Sequence, residues 1–364
     1  MAAQAPAGVP ARPTRVAAPT LTGMPDRPLS AEAEQLERVI FEVKKVIVGQ
    51  DRAIERLIVC LLAGGHALLE GVPGLAKTLA AETLATVAGG SFARIQFTPD
   101  LVPSDIIGTR IYRPSTESFD VEPGPVLANF VLADEINRAP AKVQSALLEV
   151  MGERHVSIGG RTFAVPEPFL VLATQNPIES EGVYQLPEAQ RDRFLLKVEL
   201  GHPSGSEELA ILYRMSVDPP VAQQILEPEQ VVALQGATDR VFVHHAIAEY
   251  AVRLVLATRD LPAFGLPDLA GLVAFGTSPR ATLGLVAAGR ALALLRGRDY
   301  VLPRDVRDVA RDVMAHRLVL SLDALADDVP AGGIIDRILQ VVPEPQVAPH
   351  QDAPDPPLGL RESA

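Results

Sequence analysis

Apolar positions set the first pattern. Leu36, Val39, Ile40, Val43, Val46 and Ile47 recur at the spacing of one helix face. Ser30 precedes them as an N-cap, with Glu32 and Glu34 in a first turn that favours acids. A second helix is expected over 51–63, stopped by Gly64 and Gly65. Short apolar runs follow at 66–69, 92–97, 130–133 and 169–173, with a fifth at 195–200. Helical patterns at 77–87 and 141–153 separate them. Strands alternating with helices predict a parallel α/β sheet covered on both faces. Alternation between Val156 and Val165 around Gly159-Gly160 predicts a hairpin.

After Gly201 the pattern changes. Segments 209–215, 228–238, 246–258, 280–295 and 303–318 read as helices, and strand signals stop. The expected organisation is an α/β core over 31–201 and a smaller all-helical domain over 202–342. Segments 1–30 and 343–364 together hold 12 of the 32 prolines and are expected to be disordered tails. Pro10-Ala-Arg-Pro13 and Pro25-Asp-Arg-Pro28 read as solvated tail in preference to peptide ligands.

Composition narrows the classes. At 364 residues the chain has room for two domains, and 48% hydrophobic residues can fill a core. No apolar run reaches the roughly 18 residues of a membrane span, and the first residues do not read as a secretory signal. Cys60 is the only cysteine, which excludes a disulfide framework and fits a reducing cytoplasm. It lies on an apolar helix and reads as core packing. A net charge of −12 with 4% aromatic residues argues against a broad nucleic-acid face. His244-His245 has no second ligand cluster at zinc-like spacing. Arg307, Arg311 and Arg317 among Asp305, Asp308 and Asp312 read as solvated helix pairs.

The strongest chemical signal is Gly71-Val72-Pro73-Gly74-Leu75-Ala76-Lys77-Thr78, after a buried strand and at the start of a helix. Such a loop turns backbone N–H groups toward phosphate oxygens, and the helix terminus adds positive potential. Lys77 would reach the β- and γ-phosphates, and the Thr78 hydroxyl would bind Mg2+. Ala76 stands where glycine is expected and is read as demanding a negative φ. The strand Phe130-Val-Leu-Ala ends in Asp134 and Glu135. Asp134 would hold Mg2+ and Glu135 would polarise a water, or the two acids cap a loop. The strand Phe169-Leu-Val-Leu-Ala ends in Thr174-Gln-Asn176, where Asn176 would meet the γ-phosphate or the water, or serve a turn.

These motifs resemble the AAA+ ATPases, and closely the MoxR-type group. The resemblance rests on Glu70-Gly-Val-Pro-Gly-Leu-Ala-Lys-Thr78, Leu132-Ala-Asp-Glu-Ile-Asn-Arg138 and Ala173-Thr-Gln-Asn-Pro177. It also rests on Leu186-Pro-Glu-Ala-Gln190 with Asp192-Arg-Phe194, and on Ser278-Pro-Arg-Ala281. Alanine at position 76 is a tolerated variant in this group. The resemblance implies a P-loop core with a helical lid, and assigns Asn176 as sensor 1. Arg193 becomes the arginine finger, which acts on a neighbouring subunit's ATP, with Arg191 second in line. Arg280 becomes the sensor 2 arginine, reaching the nucleotide from the lid. Val48-Gly49-Gln50 would lie against the adenine. Segment 98–126 resembles the insertion in the second core helix, and the hairpin at 156–165 resembles the one before sensor 1. In related motors both project toward the ring's axial channel, which makes Arg161 and the Gly159-Gly160 tip candidates for client contact.

The implied function is Mg2+-dependent ATP hydrolysis in a cytoplasmic homo-oligomeric ring, expected to be hexameric. Turnover would remodel client proteins or mature their metal sites. The client or adaptor would be a protein, one candidate class carrying a von Willebrand factor A domain, with no nucleic acid and no membrane insertion. The alternatives are a nucleic-acid-remodelling AAA+ motor and a magnesium-chelatase-like ATPase subunit.

Overall fold

A computed structural model describes residues 31–115, 117–176, 183–216 and 219–346. Ser30, Pro177, both proline-bearing PxxP segments and all but Pro343–Gln346 of the C-terminal tail lie outside the described residues.

Helices α1 (Ala31–Val46) and α2 (Asp51–Leu62) lead into strand β1 (Ala67–Glu70) and helix α3 (Lys77–Ala88). Strand β2 (Phe92–Gln96), helix α4 (Pro103–Ile107), strands β3 (Gly108–Arg113) and β4 (Ser118–Pro123) and strand β5 (Phe130–Asp134) follow. Helix α5 (Ala141–Glu153), hairpin strands β6 (His155–Ile158) and β7 (Arg161–Ala164), and strand β8 (Leu170–Gln175) come next. Helix α6 (Glu188–Arg191) and strand β9 (Leu196–Glu199) complete the core. The five strands pair in the order β2-β5-β8-β1-β9, every pair parallel.

Alternation along these strands divides the interior in two. Ala67, Leu69, Phe130, Leu132, Leu170 and Leu172 point to one side, where α1, α2 and α3 pack. Leu68, Val131, Ala133, Val171 and Ala173 point to the other, against Leu147 and Leu148 of α5 and Val156 and Ile158 of β6. This period of two on a doubly covered sheet is what the continuous apolar runs encode.

Beyond Gly201 come α7 (Gly205–Ser216), α8 (Pro228–Asp239), α9 (His245–Arg259), strand β10 (Val273–Phe275) and α10 (Pro279–Leu295). Then follow α11 (Pro303–Met314), strand β11 (Val319–Leu320), α12 (Leu322–Ala326) and α13 (Ala331–Val341). The second part is helical except for β10 and β11, which pair antiparallel. Strands of two and three residues leave no periodic trace in a sequence. Its apolar residues, among them Leu254, Leu285 and Val313, join the same cluster as α2 and the sheet face. The lid and the core thus share one interior.

The 98–126 segment holds α4 and an antiparallel hairpin, β3 with β4, whose Ile111, Tyr112 and Phe119 are exposed. One expectation needs correction. The charges of α11 are not uniformly solvated helix pairs. Asp305 is fully buried and accepts from Arg296 Nη1 at 3.0 Å and from both Nη atoms of Arg298 at 2.7 Å. Asp312 accepts from Arg56 Nε on α2 at 2.6 Å. Arg307 and Arg311 pair outside their own helix, with Glu344 and Asp336. The cause is packing of α11 against α10, α13 and β9 together, which turns Asp305 and Asp312 inward, where they require partners. His244, read only for metal binding, N-caps α9: its Nδ1 accepts from the N–H of Ala246 at 3.1 Å.

His66 is buried where the sheet begins. Its Nδ1 accepts from Val171 N–H at 3.0 Å and its Nε2 faces the Met151 carbonyl at 3.3 Å. Burial pushes its pKa down to about 3, and burial also holds that of His316 well below the ordinary histidine range. Both stay neutral in the fold, whereas the unfolded chain protonates them near pH 6.5. Stability therefore falls as pH drops below about 6.5, each histidine adding a slope of about 1.4 kcal/mol per pH unit. Denaturant titrations between pH 7.5 and 5 should show this slope, reduced in His66→Gln. An unchanged slope in the variant would contradict it.

Candidate functional site

Strands β1, β5 and β8 end in register, with Leu69 opposite Thr174 and Ala133 opposite Ala173. Gly71, Glu135 and Asn176 therefore leave the sheet at one edge, the carboxyl edge where α/β sheets bind ligands. Gly71 passes within 3.0 Å of Leu200 where a Cβ would sit, and Gly74 adopts φ +88°. The loop ends in Ala76 at φ 55°, ψ 27°, the residue before α3. The expectation of a negative φ at Ala76 is overturned. The turn into α3 imposes a left-handed residue, and alanine bears the strain that glycine would avoid. Lys77 Nζ donates to the Gly71 carbonyl at 2.7 Å and to the Gln175 carbonyl at 3.4 Å, spanning β1 and β8. Thr78 follows on the first turn of α3, half-buried.

Thr174, fully buried, organises the acids. Its Oγ1 donates to Asp134 Oδ1 at 2.7 Å and accepts from the Glu135 N–H at 2.8 Å. Arg94 on β2 donates to Asp134 Oδ2 from Nη2 at 2.7 Å and Nε at 3.1 Å. Glu135 sits at φ 56°, where its Oε2 accepts from Gln96 Nε2 at 2.8 Å and pairs with Arg138 Nε at 3.1 Å. Asn176 is buried at the end of β8. Sequence reasoning missed Arg94, Gln96 and the bridging role of Thr174. The available signal was a cation and an amide inside Phe-Ala-Arg-Ile-Gln, a strand otherwise read as apolar.

The donor set suits Mg2+, a hard cation that takes oxygen ligands and few protein carboxylates. Thr78 and Asp134 supply a hydroxyl and a carboxylate, and the bonds from Thr174 and Arg94 leave lone-pair capacity on Asp134.

Beside the loop, a cavity of ≈ 120 Å³ is lined by Val48, Gln50, Leu75, Pro203, Ile211 and Met215. Gln50 Nε2 donates to the Gly201 carbonyl at 2.7 Å. Gly49, at φ +68°, has Glu207 Oε1 only 2.5 Å from where a Cβ would stand. The cavity is lined mostly by apolar residues and lies between the start of the core and α7.

Arg193 and Arg280 lie elsewhere. Both line a cavity of ≈ 390 Å³ with Asp192, Gly152, Leu283 and Arg317. Leu195 N–H donates to the His66 carbonyl at 2.8 Å, so this segment meets the amino end of β1. The phosphate loop leaves the carboxyl end of β1, roughly 13 Å away at the usual rise per residue. Arg193 is exposed and its Nη1 donates to the Leu148 carbonyl at 2.5 Å. Arg280 Nη1 stands 3.6 Å from Asp192 Oδ2. The structure thus places Arg280 around the same cavity as Arg193, away from the phosphate loop of its own chain. Arg191 is half-buried at the end of α6.

Comparison with known proteins agrees with this fold. Residues 66–196 match the ATPase family associated with various cellular activities (AAA), and residues 270–338 match the AAA lid domain. The chain is 64% identical to chaperone MoxR1 of Mycobacterium tuberculosis over 91% of this chain and 88% of that protein. It is 42% identical to YeaC of Bacillus subtilis over 85% of this chain and 95% of that one. Protein MoxR of Methylorubrum extorquens shares 36% over 77% and 86%. A solved structure from Cytophaga hutchinsonii superposes with a TM-score of 0.82 at 45% identity, covering 86% of this chain and 96% of that chain. The fold is that of an AAA+ P-loop ATPase with a helical lid. Within that class, the chain belongs to the MoxR-type family. No helix among the described residues is long and apolar enough to cross a membrane.

The left-handed Ala76 gives a direct test of the loop. Ala76→Gly should retain nucleotide affinity within about twofold, since glycine adopts this conformation freely. Ala76→Val should weaken it tenfold or more, because a β-branched residue at φ 55° costs about 1–3 kcal/mol. Titration with a fluorescent ADP analogue measures both, and equal affinities would count against the assignment.

Proposed function

We propose that this chain hydrolyses ATP, with Mg2+, at sites shared between neighbouring copies in a ring, and uses turnover to remodel client proteins. One observation carries the reading. Lys77, Thr78, Asp134, Glu135 and Asn176 gather at one edge of the sheet, while Arg193 and Arg280 face outward at the other. A site divided in this way is completed only when a second copy brings its arginines to the first copy's phosphates.

The roles follow from position. The slot beside Val48, Gly49 and Gln50 takes the adenine. Backbone N–H groups from Gly71 through Thr78, with Val72, Pro73, Gly74, Leu75 and Ala76 shaping the turn, surround the β-phosphate. Lys77 moves from the Gly71 carbonyl onto the β- and γ-phosphates. Thr78 and Asp134 would hold Mg2+, which when bound would neutralise charge on the phosphates. Asn176 hydrogen-bonds the γ-phosphate and fixes its direction. Water oxygen attacks the γ-phosphorus as the bond to the ADP oxygen breaks, and Glu135 accepts the water proton. Gln96 and Arg138 occupy the Glu135 carboxylate in this structure, so Glu135 turns over only when that grip loosens. Arg193 and Arg280 of the neighbour stabilise charge on the γ-phosphoryl oxygens.

The client reading draws support from the two hairpins. Arg110 of β3 lies against Gly159 at the β6–β7 tip, so the hairpins form one projection. Tyr112 and Phe119 are exposed on it, and Arg161 stacks over Phe163. Exposed aromatics beside cations suit unfolded or loosely folded protein segments. The name of the mycobacterial relative, a chaperone, points the same way. The lone cysteine, Cys60, is buried, in keeping with a cytoplasmic setting.

ATPase rate per chain should climb with protein concentration in wild type. Arg193→Ala should lower kcat by about 10³-fold, as loss of an arginine finger does, with nucleotide affinity within about twofold. Steady-state assays beside size-exclusion profiles check both. A rate indifferent to concentration and to Arg193 would overturn the shared site.

A further inference from the structure

The segment carrying Arg193 is not held by the core alone. Arg317, just after α11, is buried to 8% exposure and directs its whole guanidinium at it. Its Nε donates to Asp192 Oδ1 at 3.0 Å. Its Nη2 donates to the Phe194 carbonyl at 2.6 Å and the Asp192 carbonyl at 3.4 Å. Its Nη1 donates to the Leu195 carbonyl at 3.2 Å and to the Val313 carbonyl of its own helix. His316 Nε2 donates to the same Phe194 carbonyl at 3.0 Å. From the start of α10, Ser278 Oγ donates to both Asp192 oxygens at 2.9 and 3.0 Å, and also caps the N–H of Arg280. Asp192 therefore has lid donors on two sides, and its neighbours in sequence are Arg191 and Arg193.

We propose that Arg317 is a positioning residue for the shared site: it fastens the Arg193 segment to the lid, so that Arg193 and Arg280 reach the neighbouring copy's nucleotide as one rigid pair. The inference rests on the shared-site reading given above. Arginine suits this place because its guanidinium is a planar fork. Four main-chain carbonyls, three of them in the Arg193 segment, and one carboxylate converge on its N–H donors in fixed geometry, which a lysine ammonium cannot reproduce. Burial lowers the pKa of Arg317 to about 10, so it remains a cation at neutral pH and balances Asp192. Any motion of the lid is transmitted to Arg193 through these bonds, because they link elements 125 positions apart in sequence.

The role is exerted on another copy's site, and this separates it from a structural one. Arg317→Lys should fold with an unchanged melting profile to within a few degrees. Alone, it should lose about tenfold to a hundredfold in kcat, the scale of a small misplacement of a catalytic group, with KM for ATP within about twofold. It is then mixed with an excess of Glu135→Gln, which keeps Arg193 and Arg317 intact but lacks the base. In mixed assemblies the Arg317→Lys chains receive intact arginines from their neighbours. Their rate should return to within twofold of wild-type chains mixed with the same excess. Arg193→Ala, mixed in the same way, is the control for the shared site and should also be restored. Restoration of Arg193→Ala without that of Arg317→Lys would overturn the positioning role alone. Failure to restore either would overturn the shared-site reading and this inference with it. A full rate for Arg317→Lys by itself would also sink the proposal.

Discussion

A parallel sheet buried on both faces can carry polar chemistry only where its strands end. Every interior position of β5 is buried, and β8 is buried up to Thr174. Water and ligands thus reach the sheet only at its carboxyl edge, its amino edge and its flanks. The five strands are parallel, so the two edges differ in kind. The carboxyl edge gathers the loop from Gly71, the acids after β5 and Asn176 after β8. The amino edge meets the segment around Arg193. In the proposed reading this polarity divides the site between two places in one chain, and a neighbouring copy would complete it.

Within the carboxyl edge the acids are constrained before any ligand arrives. One buried hydroxyl, that of Thr174, fixes the Asp134 carboxylate and the backbone of Glu135 together. Arg94 balances the charge of Asp134, which would otherwise be costly so close to the apolar interior. The left-handed backbone of Glu135 turns its carboxylate away from the strand and toward Gln96 and Arg138. Such strain persists where surrounding structure overdetermines it. Here the overdetermination comes from the register of three strands.

The lid is joined to the core by charge as well as by apolar contact. Asp312 with Arg56 links α11 to α2, and Arg317 with Asp192 links the end of α11 to the Arg193 segment. Removing one partner of a buried pair costs about 3–5 kcal/mol, while an apolar replacement of both can be neutral. Such pairs are therefore better understood as fixing geometry than as adding stability. They make the lid a single body with the arginine edge.

Much of this was legible in the sequence. Periodicity located the five core strands and most helices, because a sheet covered on both faces forces long apolar runs. The Gly71–Thr78 segment and the acids after β5 were legible because phosphate and metal chemistry demands particular residue types at fixed places on a strand-loop-helix unit. Other features depended on tertiary structure. The sign of φ at Ala76 follows from how the turn joins α3, and alanine alone does not encode it. The short pair of β10 and β11 has too few residues to leave a pattern. The charges of α11 looked solvated because helical spacing reports one face of one helix. Which acids turn inward depended on several packed neighbours, from Arg298 seven positions away to Arg56 on α2, 256 positions away. The same holds for Arg280: its motif marks it in the sequence, but the packing of α10 decided that it stands beside Asp192. Local chemistry is written in consecutive residues, whereas the partner of a long side chain is set by whatever the fold brings within its reach.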